Sequence, residues 1–487
     1  MEHYYDYLKE LRNNRKLSIR TLSQGLCSPS TYHAIESGES IPAPRLLRLL
    51  VERLGVSFNS FELIIDKKTY KQELMFSNIG VLIETERNKE AERLLKGIDP
   101  GKLAGSVDRM FYYRLVAWVK CAVGDYEASK KAIKSAIGET LSLKIDNLQN
   151  LKAVSSTEIE NVLFMLNLII IAPERKIRAV FLSDSVLNLI KEYLKSAKLD
   201  PDEYSVIYPK VWYVEAQMAL IEGDEEKAVS LSVKAIRVLR KAEIYFLIPS
   251  FLDMIATHGK DILMSARYAL YNGFNAYLHK LIGRASISTY NRNHLLSRLC
   301  KTIYHLDYEV IRGERKRTCA TQSAFVGNAY ADESALSKIE TGTHSIRTSK
   351  MDMIMNTCNL NKNRINMIPL HKEDEPVDVS GPIKSVIGTR ALFYDELLRV
   401  TDICQSLSEN GHLDEAETIL SDALTSYEES DLTPFFHFVP YVSLRTFWAR
   451  ITQSPVLAIE NIKYSLIAGS LRGVVENYRI ISSMILR

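Results

Sequence analysis

Leu336-Ser337-Lys338-Ile339-Glu340-Thr341-Gly342 is the stretch that decides the fold, because its last four residues have a counterpart at Ile35-Glu36-Ser37-Gly38. In each copy the Ile suits the inner face of a short helix. The Gly falls just past the last turn, where the backbone turns left-handed and Gly is strained least. Each Glu has an Arg upstream at nearly the same spacing: Arg12 lies 24 residues before Glu36, and Arg315 lies 25 before Glu340. An Arg–Glu pair between helices fixes their orientation more than it adds net stability. The spacing therefore predicts two small helical units on one chain, each closed by an ion pair between its first and third helices.

Around the second copy, Ile311 to Lys316 reads as the end of a basic helix. Thr321 caps a short helix carrying Gln322, Ala324, Phe325 and Val326, which stops near Gly327-Asn328. Asp332 caps the next, which carries Glu333, Ser334, Leu336, Ser337 and Lys338. Two short helices joined by a tight turn, the second led by small polar residues, form the helix-turn-helix pattern. At these residues the chain resembles the lambda-repressor and Cro type of domain, the Xre family. That resemblance implies that Gln322 meets a phosphate and a base edge. It places Glu333, Ser334 and Lys338 at base-facing positions, with Ser337 on the same DNA-facing helix. Phosphate contacts would come from the amides capped by Asp332 and from Arg312, Lys316 and Arg317. Residues 311–365 carry nine Lys or Arg against five Asp or Glu, a net +4, whereas the whole chain is +3. A local basic patch is what phosphate binding requires.

The first copy has the same outline. Leu8, Leu11 and Leu17 give an apolar face, Ser18 caps the second helix, and Gly25 ends it. Ser28 or Ser30 caps the third helix, which carries Thr31, Tyr32, His33 and Ala34. Ile19 stands where the family usually has Gln. Pro29 and Ala34 occupy base-facing positions, and neither side chain donates a hydrogen bond. Residues 1–66 hold eight basic and eight acidic residues, so this unit is neutral. Ser30, Thr31 and His33 are its candidate DNA contacts.

Beyond the two units the pattern is helical, with no long strand-like alternation. Gly124-Asp125-Tyr126-Glu127-Ala128, Gly223-Asp224-Glu225-Glu226-Lys227-Ala228 and Gly411-His412-Leu413-Asp414-Glu415-Ala416 each place a turn before a helix with recurring Ala. Asn88-Lys89-Glu90-Ala91 is a weaker fourth case. This pattern looks like tetratricopeptide repeats, which stack helix pairs into a curved solenoid. The expected fold is all-α, with a helix-turn-helix domain at 1–66, repeats at 67–305, a second helix-turn-helix domain at 306–370 and further repeats at 383–487. A linker is expected from His371 to Pro382.

The chain has 487 residues, 46% of them apolar, enough for several cores. Its longest apolar stretch, Val162 to Ala172, includes Asn167 and is too short to span a bilayer. Met1-Glu2-His3-Tyr4 starts no export signal, so a cytoplasmic protein is expected. Six scattered cysteines suggest no zinc site. With no phosphate loop, no metal-spaced cluster and no nucleophile motif, neither an enzyme nor a cofactor is expected.

A helix-turn-helix followed by such repeats is similar to the peptide-responsive RRNPP regulators of Gram-positive bacteria and their phages, including the Rgg and PlcR types. The resemblance implies a transcriptional regulator that binds a double-stranded DNA operator, acts as a homodimer and senses a short signalling peptide in quorum sensing. The second, internal head departs from that group. Candidate peptide contacts on the repeat helices are Asn161, Asn167, Tyr213, Gln217, Tyr271, Asn272 and Asn275, since Asn bonds extended backbone and aromatics line pockets. In this scheme the two heads sit at opposite ends of the first repeat region. The alternative is a repeat-type adaptor that controls a partner protein by docking, its heads being structural.

Overall fold

The computed structural model of the protein describes residues 4–58, 62–141, 153–171, 177–284, 295–298, 303–308, 311–312, 315, 321–329, 332–342, 394–428 and 439–485. Four helices come first: α1 (Tyr4–Asn14), α2 (Ile19–Ser23), α3 (Pro29–Glu36) and α4 (Pro44–Arg53). Leu8, Leu22, Tyr32, Ile35, Leu47 and Leu50 fill the space between them, each at most 2% exposed. The chain leaves this unit through a short strand, β1 (Glu62–Ile65).

Asp66 caps the next helix, accepting from the amides of Lys68 and Thr69, and starts the helical array. The array runs through α5 (Lys67–Glu84), α6 (Asn88–Lys96), α7 (Ser106–Ala122), α8 (Tyr126–Thr140), α9 (Ser156–Ile171), α10 (Ile177–Ser196), α11 (Pro201–Glu222), α12 (Glu225–Lys241), α13 (Ile248–His258) and α14 (Ser265–Arg284). Neighbours in sequence pack side by side, α7 on α8 and α11 on α12 most extensively. Gly124 and Gly223 make the turns of those pairs at φ of +81° and +83°, and Asp125 and Asp224 cap the helices that follow. Ala136, Ala228 and Ala235 are fully buried, which lets paired helices approach closely. Helix α9 lies innermost. Every side chain from Ser156 to Leu168 is buried, so α9 is a core helix with no solvent face along that stretch.

Sequence reading expects no strand here, and the structure corrects that. Strand β2 (Ile303–Leu306) pairs in parallel with β1, with Glu62 opposite Ile303 and Ile65 opposite Leu306. Each strand is four residues long. That is too short for a period of two to stand out from neighbouring apolar residues. The pairing also corrects the expected separation of the two segments. Residues 62–65, which leave the first unit, run beside residues 303–306, which lead into Tyr308, so these stretches lie together and not at opposite ends of the array.

After β2 come α15 (Gln322–Ala329) and α16 (Glu333–Glu340). The C-terminal helices are α17 (Tyr394–Glu409), α18 (Leu413–Glu428), α19 (Val439–Ile451), α20 (Pro455–Ile467) and α21 (Leu471–Ile485). Gly411 turns α17 into α18 at φ +84°, with Ala416 and Ala423 fully buried, as in the earlier pairs. The turn before α21 docks on the first array: Tyr245 N donates to Gly469 O at 2.9 Å and Leu471 N to Glu243 O at 3.0 Å. The expected linker, 371–382, lies outside the described residues. No helix among the described residues is long and apolar enough to cross a membrane.

Candidate nucleic-acid interface

In the first unit, Ser18 Oγ accepts from Thr21 N at 3.0 Å and begins α2. Gly25 ends the turn at φ +74°. Ser28, and not Ser30, caps α3, accepting from Thr31 N at 3.0 Å. Tyr32, Ile35 and Glu36 face inward, leaving Ser30, Thr31 and His33 exposed on one side of α3. Arg12 then grips Glu36 with two bonds, Nε to Oε1 at 2.7 Å and Nη2 to Oε2 at 3.1 Å. That bond holds the Arg12 guanidinium above its ordinary range.

The described residues between Tyr308 and Gly342 repeat this geometry. Thr321 Oγ1 accepts from Ala324 N at 3.1 Å to cap α15, and Asp332 Oδ1 accepts from Ala335 N at 2.6 Å to cap α16. Arg315 binds Glu340 through Nε and Nη2, the second bond at 2.9 Å. Leu336, Ile339 and Glu340 face inward, while Asp332, Glu333, Ser334, Ser337 and Lys338 are exposed together on the opposite face. Gln322 is half-buried, and its Nε2 donates to Glu340 Oε2 at 3.0 Å, so in this state it braces the ion pair. Arg312 is half-buried on the turn that precedes Arg315. Lys316 and Arg317 lie outside the described residues.

Each unit also has a contact that sequence reading missed. A Cβ on Gly38 would come within 2.7 Å of the Tyr5 ring, and one on Gly342 within 2.9 Å of the Tyr308 ring. Tyr5 precedes Arg12 by the same seven residues that separate Tyr308 from Arg315, a signal present in the sequence. Both glycines are left-handed, at φ +78° and +64°. Gly38→Ala and Gly342→Ala should therefore each destabilise their own unit by about 1–2 kcal/mol from backbone strain alone, with the displaced Tyr ring adding to it. Thermal unfolding followed by hydrogen exchange in α3 or α16 would measure this, and unchanged protection would refute it.

The first unit is bolted to the array. Arg53, 1% exposed, donates to the carbonyls of Leu22 (2.9 Å) and Gln24 (2.7 Å) and binds Glu158 of α9 through Nε (3.0 Å) and Nη2 (2.7 Å). Ser106 Oγ donates to Gly25 O at 3.0 Å, and Arg15 donates to the carbonyls of Ala197 and Lys198. Behind this contact lies a buried charge cluster. Arg298 reaches Glu52 of α4, Glu160 of α9 and Glu203 of α11. Arg114 Nη2 and Lys210 Nζ also bind Glu160, at 2.6 and 2.7 Å. Burial pushes Glu52 up to about 7, with Arg298 pulling it down and Glu203 and Glu160 pushing it up. Burial also pushes Glu160 up, but Arg298, Lys210 and Arg114 outweigh it and hold that carboxyl well below the usual range.

The seven proposed peptide contacts do not line one open groove. Asn161 is buried, its Oδ1 taken by Arg114 at 2.8 Å. Asn167 is fully buried, with neither amide atom partnered. Tyr213 packs edge-on against Phe251, and Asn275 bonds Asp253 at 3.2 Å. Gln217 and Tyr271 are half-buried and Asn272 is exposed. The physical reason is the innermost position of α9, together with Leu295–Arg298, which fills the space beside it.

Residues 8–61 match the helix-turn-helix family. No curated protein and no solved structure matches the chain significantly. The first unit is an Xre-like helix-turn-helix domain, and the chain is a DNA-binding transcriptional regulator that acts on double-stranded DNA.

Proposed function

We propose that this regulator reads DNA with two unequal helix-turn-helix heads carried side by side, and that the second, 306–370, makes most of the base contacts. The observation that carries this is the repeated lock. Tyr308, Ile311, Arg315, Glu340 and Gly342 take the parts of Tyr5, Leu8, Arg12, Glu36 and Gly38. The exposed face of α16 offers Glu333, Ser334, Ser337 and Lys338, whereas that of α3 offers Ser30, Thr31 and an imidazole. A charged side chain at a base-facing position discriminates among bases more strongly than a lone hydroxyl. Lys338→Ala should weaken specific binding by about 1–3 kcal/mol, and His33→Ala much less. Footprinting on DNA flanking the gene, at fixed salt, is the measurement. A larger loss from His33→Ala than from Lys338→Ala would invert the assignment of heads.

The array, read as tetratricopeptide-like helix pairs, is the sensing part. A peptide effector of the kind the family resemblance implies gains support from the way the array holds the backbone of Leu295–Arg298. Arg114 Nη2 donates to Leu296 O and Lys210 Nζ to Ser297 O, both at 2.7 Å. Such a peptide would enter by displacing Leu295–Arg298. The docking alternative is favoured by apolar side chains left in solvent on α14 and α20, among them Leu270 at 70% and Val456 at 72% exposure. Calorimetry with peptides encoded nearby separates the two readings.

A further inference from the structure

A cavity of about 190 Å³ lies where the first head, the array, the Leu295–Arg298 stretch and the C-terminal helices meet. Phe58, Tyr70, Phe76, Phe111, Trp118 and Phe246 give it aromatic walls. Half-buried residues of α5, including Glu73, Ser77 and Gly80, form its outer side. Arg45 and Arg48 of α4 and Thr157 of α9 are among its polar wall residues.

Two of those polar groups are unsatisfied. Arg45 is 5% exposed and bonds Asp108 through Nη1 at 2.8 Å and Glu73 through Nε at 3.2 Å, yet its Nη2 is buried with no partner. The hydroxyl of Thr157, on a residue 1% exposed, is also buried with no partner. Buried donors are seldom left orphaned in folded proteins. Arg114 and Arg298, also on the wall, are committed to Glu160, Glu52 and Glu203. Arg48 lies over the Phe58 ring, 4.9 Å from its centroid, and the buried guanidinium nitrogen left without a partner on this wall is Nη2 of Arg45.

We propose that this cavity binds a small aromatic carboxylic acid, its ring among Phe76, Phe111 and Trp118 and its carboxylate accepting from Arg45 and Thr157. Size sets the class. A cavity of about 150 Å³ with apolar walls takes benzene, so this one takes a single ring with a short acid arm and no five-residue peptide. Charge sets the head group, because an ionised acceptor bonds guanidinium about twice as strongly as a neutral one. Arg45 and Arg48 belong to the first head, so an occupant would join that head to α5 and α7. The reading goes beyond DNA binding and does not depend on either head reading sequence.

The test is calorimetry on the full chain with phenylacetate and with its neutral analogue phenylacetamide, in the absence of DNA. Phenylacetate should bind at least about tenfold more tightly than the amide. Thr157→Val, which removes a hydroxyl that has no hydrogen-bond partner in the structure, should weaken phenylacetate about fivefold. Arg45→Met should erase the preference for the acid while the amide still binds. Ser77→Trp, at the outer side, should abolish both. Absence of binding by either probe at millimolar concentration, equal affinity for acid and amide, or an unchanged affinity in Thr157→Val would each overturn the proposal. Should Arg45→Met fail to fold, Thr157→Val decides the matter.

Discussion

Arg298→Ala should destabilise the protein by about 3–5 kcal/mol, the range seen when one partner of a buried ion cluster is removed. The carboxylates it serves are closed to water, Glu52 and Glu160 at 0% and Glu203 at 1% side-chain exposure. Glu160 would keep Arg114 and Lys210, and Glu52 would keep the amide of Thr157. Glu203 loses its ion pair with Arg298. Hydrogen exchange should rise first in α4, α9 and the start of α11, which the guanidinium ties together. The same cluster gives a pH signature. Glu52 is raised in the folded state to about 7, so its contribution is full below the unfolded carboxyl value and fades as pH climbs through 7. Glu160 acts oppositely: depressed when folded, it contributes above the unfolded value and is lost in acid. Wild-type stability should therefore decline from about pH 5 to 7.5 at constant salt. Glu52→Gln should flatten that decline. A decline of equal slope in Glu52→Gln would reject the assignment.

Arg53→Ala should cost a similar amount, about 3–5 kcal/mol, but through a different failure. Arg53 and Glu158 are 1% and 0% exposed, and Arg53 also satisfies two carbonyls in the helix-turn-helix turn. Burial pushes Glu158 up, yet Arg53 and the Ser155 amide keep it below its ordinary value. Losing the guanidinium strands that carboxylate and frees the turn from α9. Replacing both partners with apolar residues, Arg53→Met with Glu158→Leu, should recover part of the loss, because neither charge is then stranded. The carbonyls of Leu22 and Gln24 would remain unmet, so recovery should be incomplete. Equilibrium unfolding of the two variants decides between this account and simple loss of packing, which predicts the double variant to be the worse.

The parts of this fold that were legible in the sequence are those set by local chemistry. Caps at Ser18, Thr321 and Asp332, left-handed turns at Gly38, Gly124, Gly223 and Gly342, and both Arg–Glu pairs stand where short-range spacing puts them. Ser28 against Ser30 was open because either hydroxyl could reach an amide three residues on. What escaped the sequence reading was long-range. Glu52, Glu160, Glu203 and Arg298 carry no mutual spacing that marks them as a cluster, and the β1–β2 pairing joins segments too short to announce themselves. The Asn candidates failed to converge for a related reason: apolar neighbours on every side of α9 make a core helix, and periodicity alone does not separate a groove wall from a core.

The Glu52–Arg298 contact spans 246 residues of chain, and this has a consequence for synthesis. At roughly 5–20 residues per second, a ribosome needs on the order of ten to fifty seconds to make Arg298 after the first head has emerged. During that interval the head can close its own core, but the bolt behind α4 and the strand that seals β1 do not yet exist. The nascent chain thus carries a DNA-binding domain without its brace, and exposes the acidic side chains that will later surround one arginine. A chaperone holding the array, or a pause before residue 298, would act on this window, so the protein's vulnerable period is set by where in the chain that arginine lies.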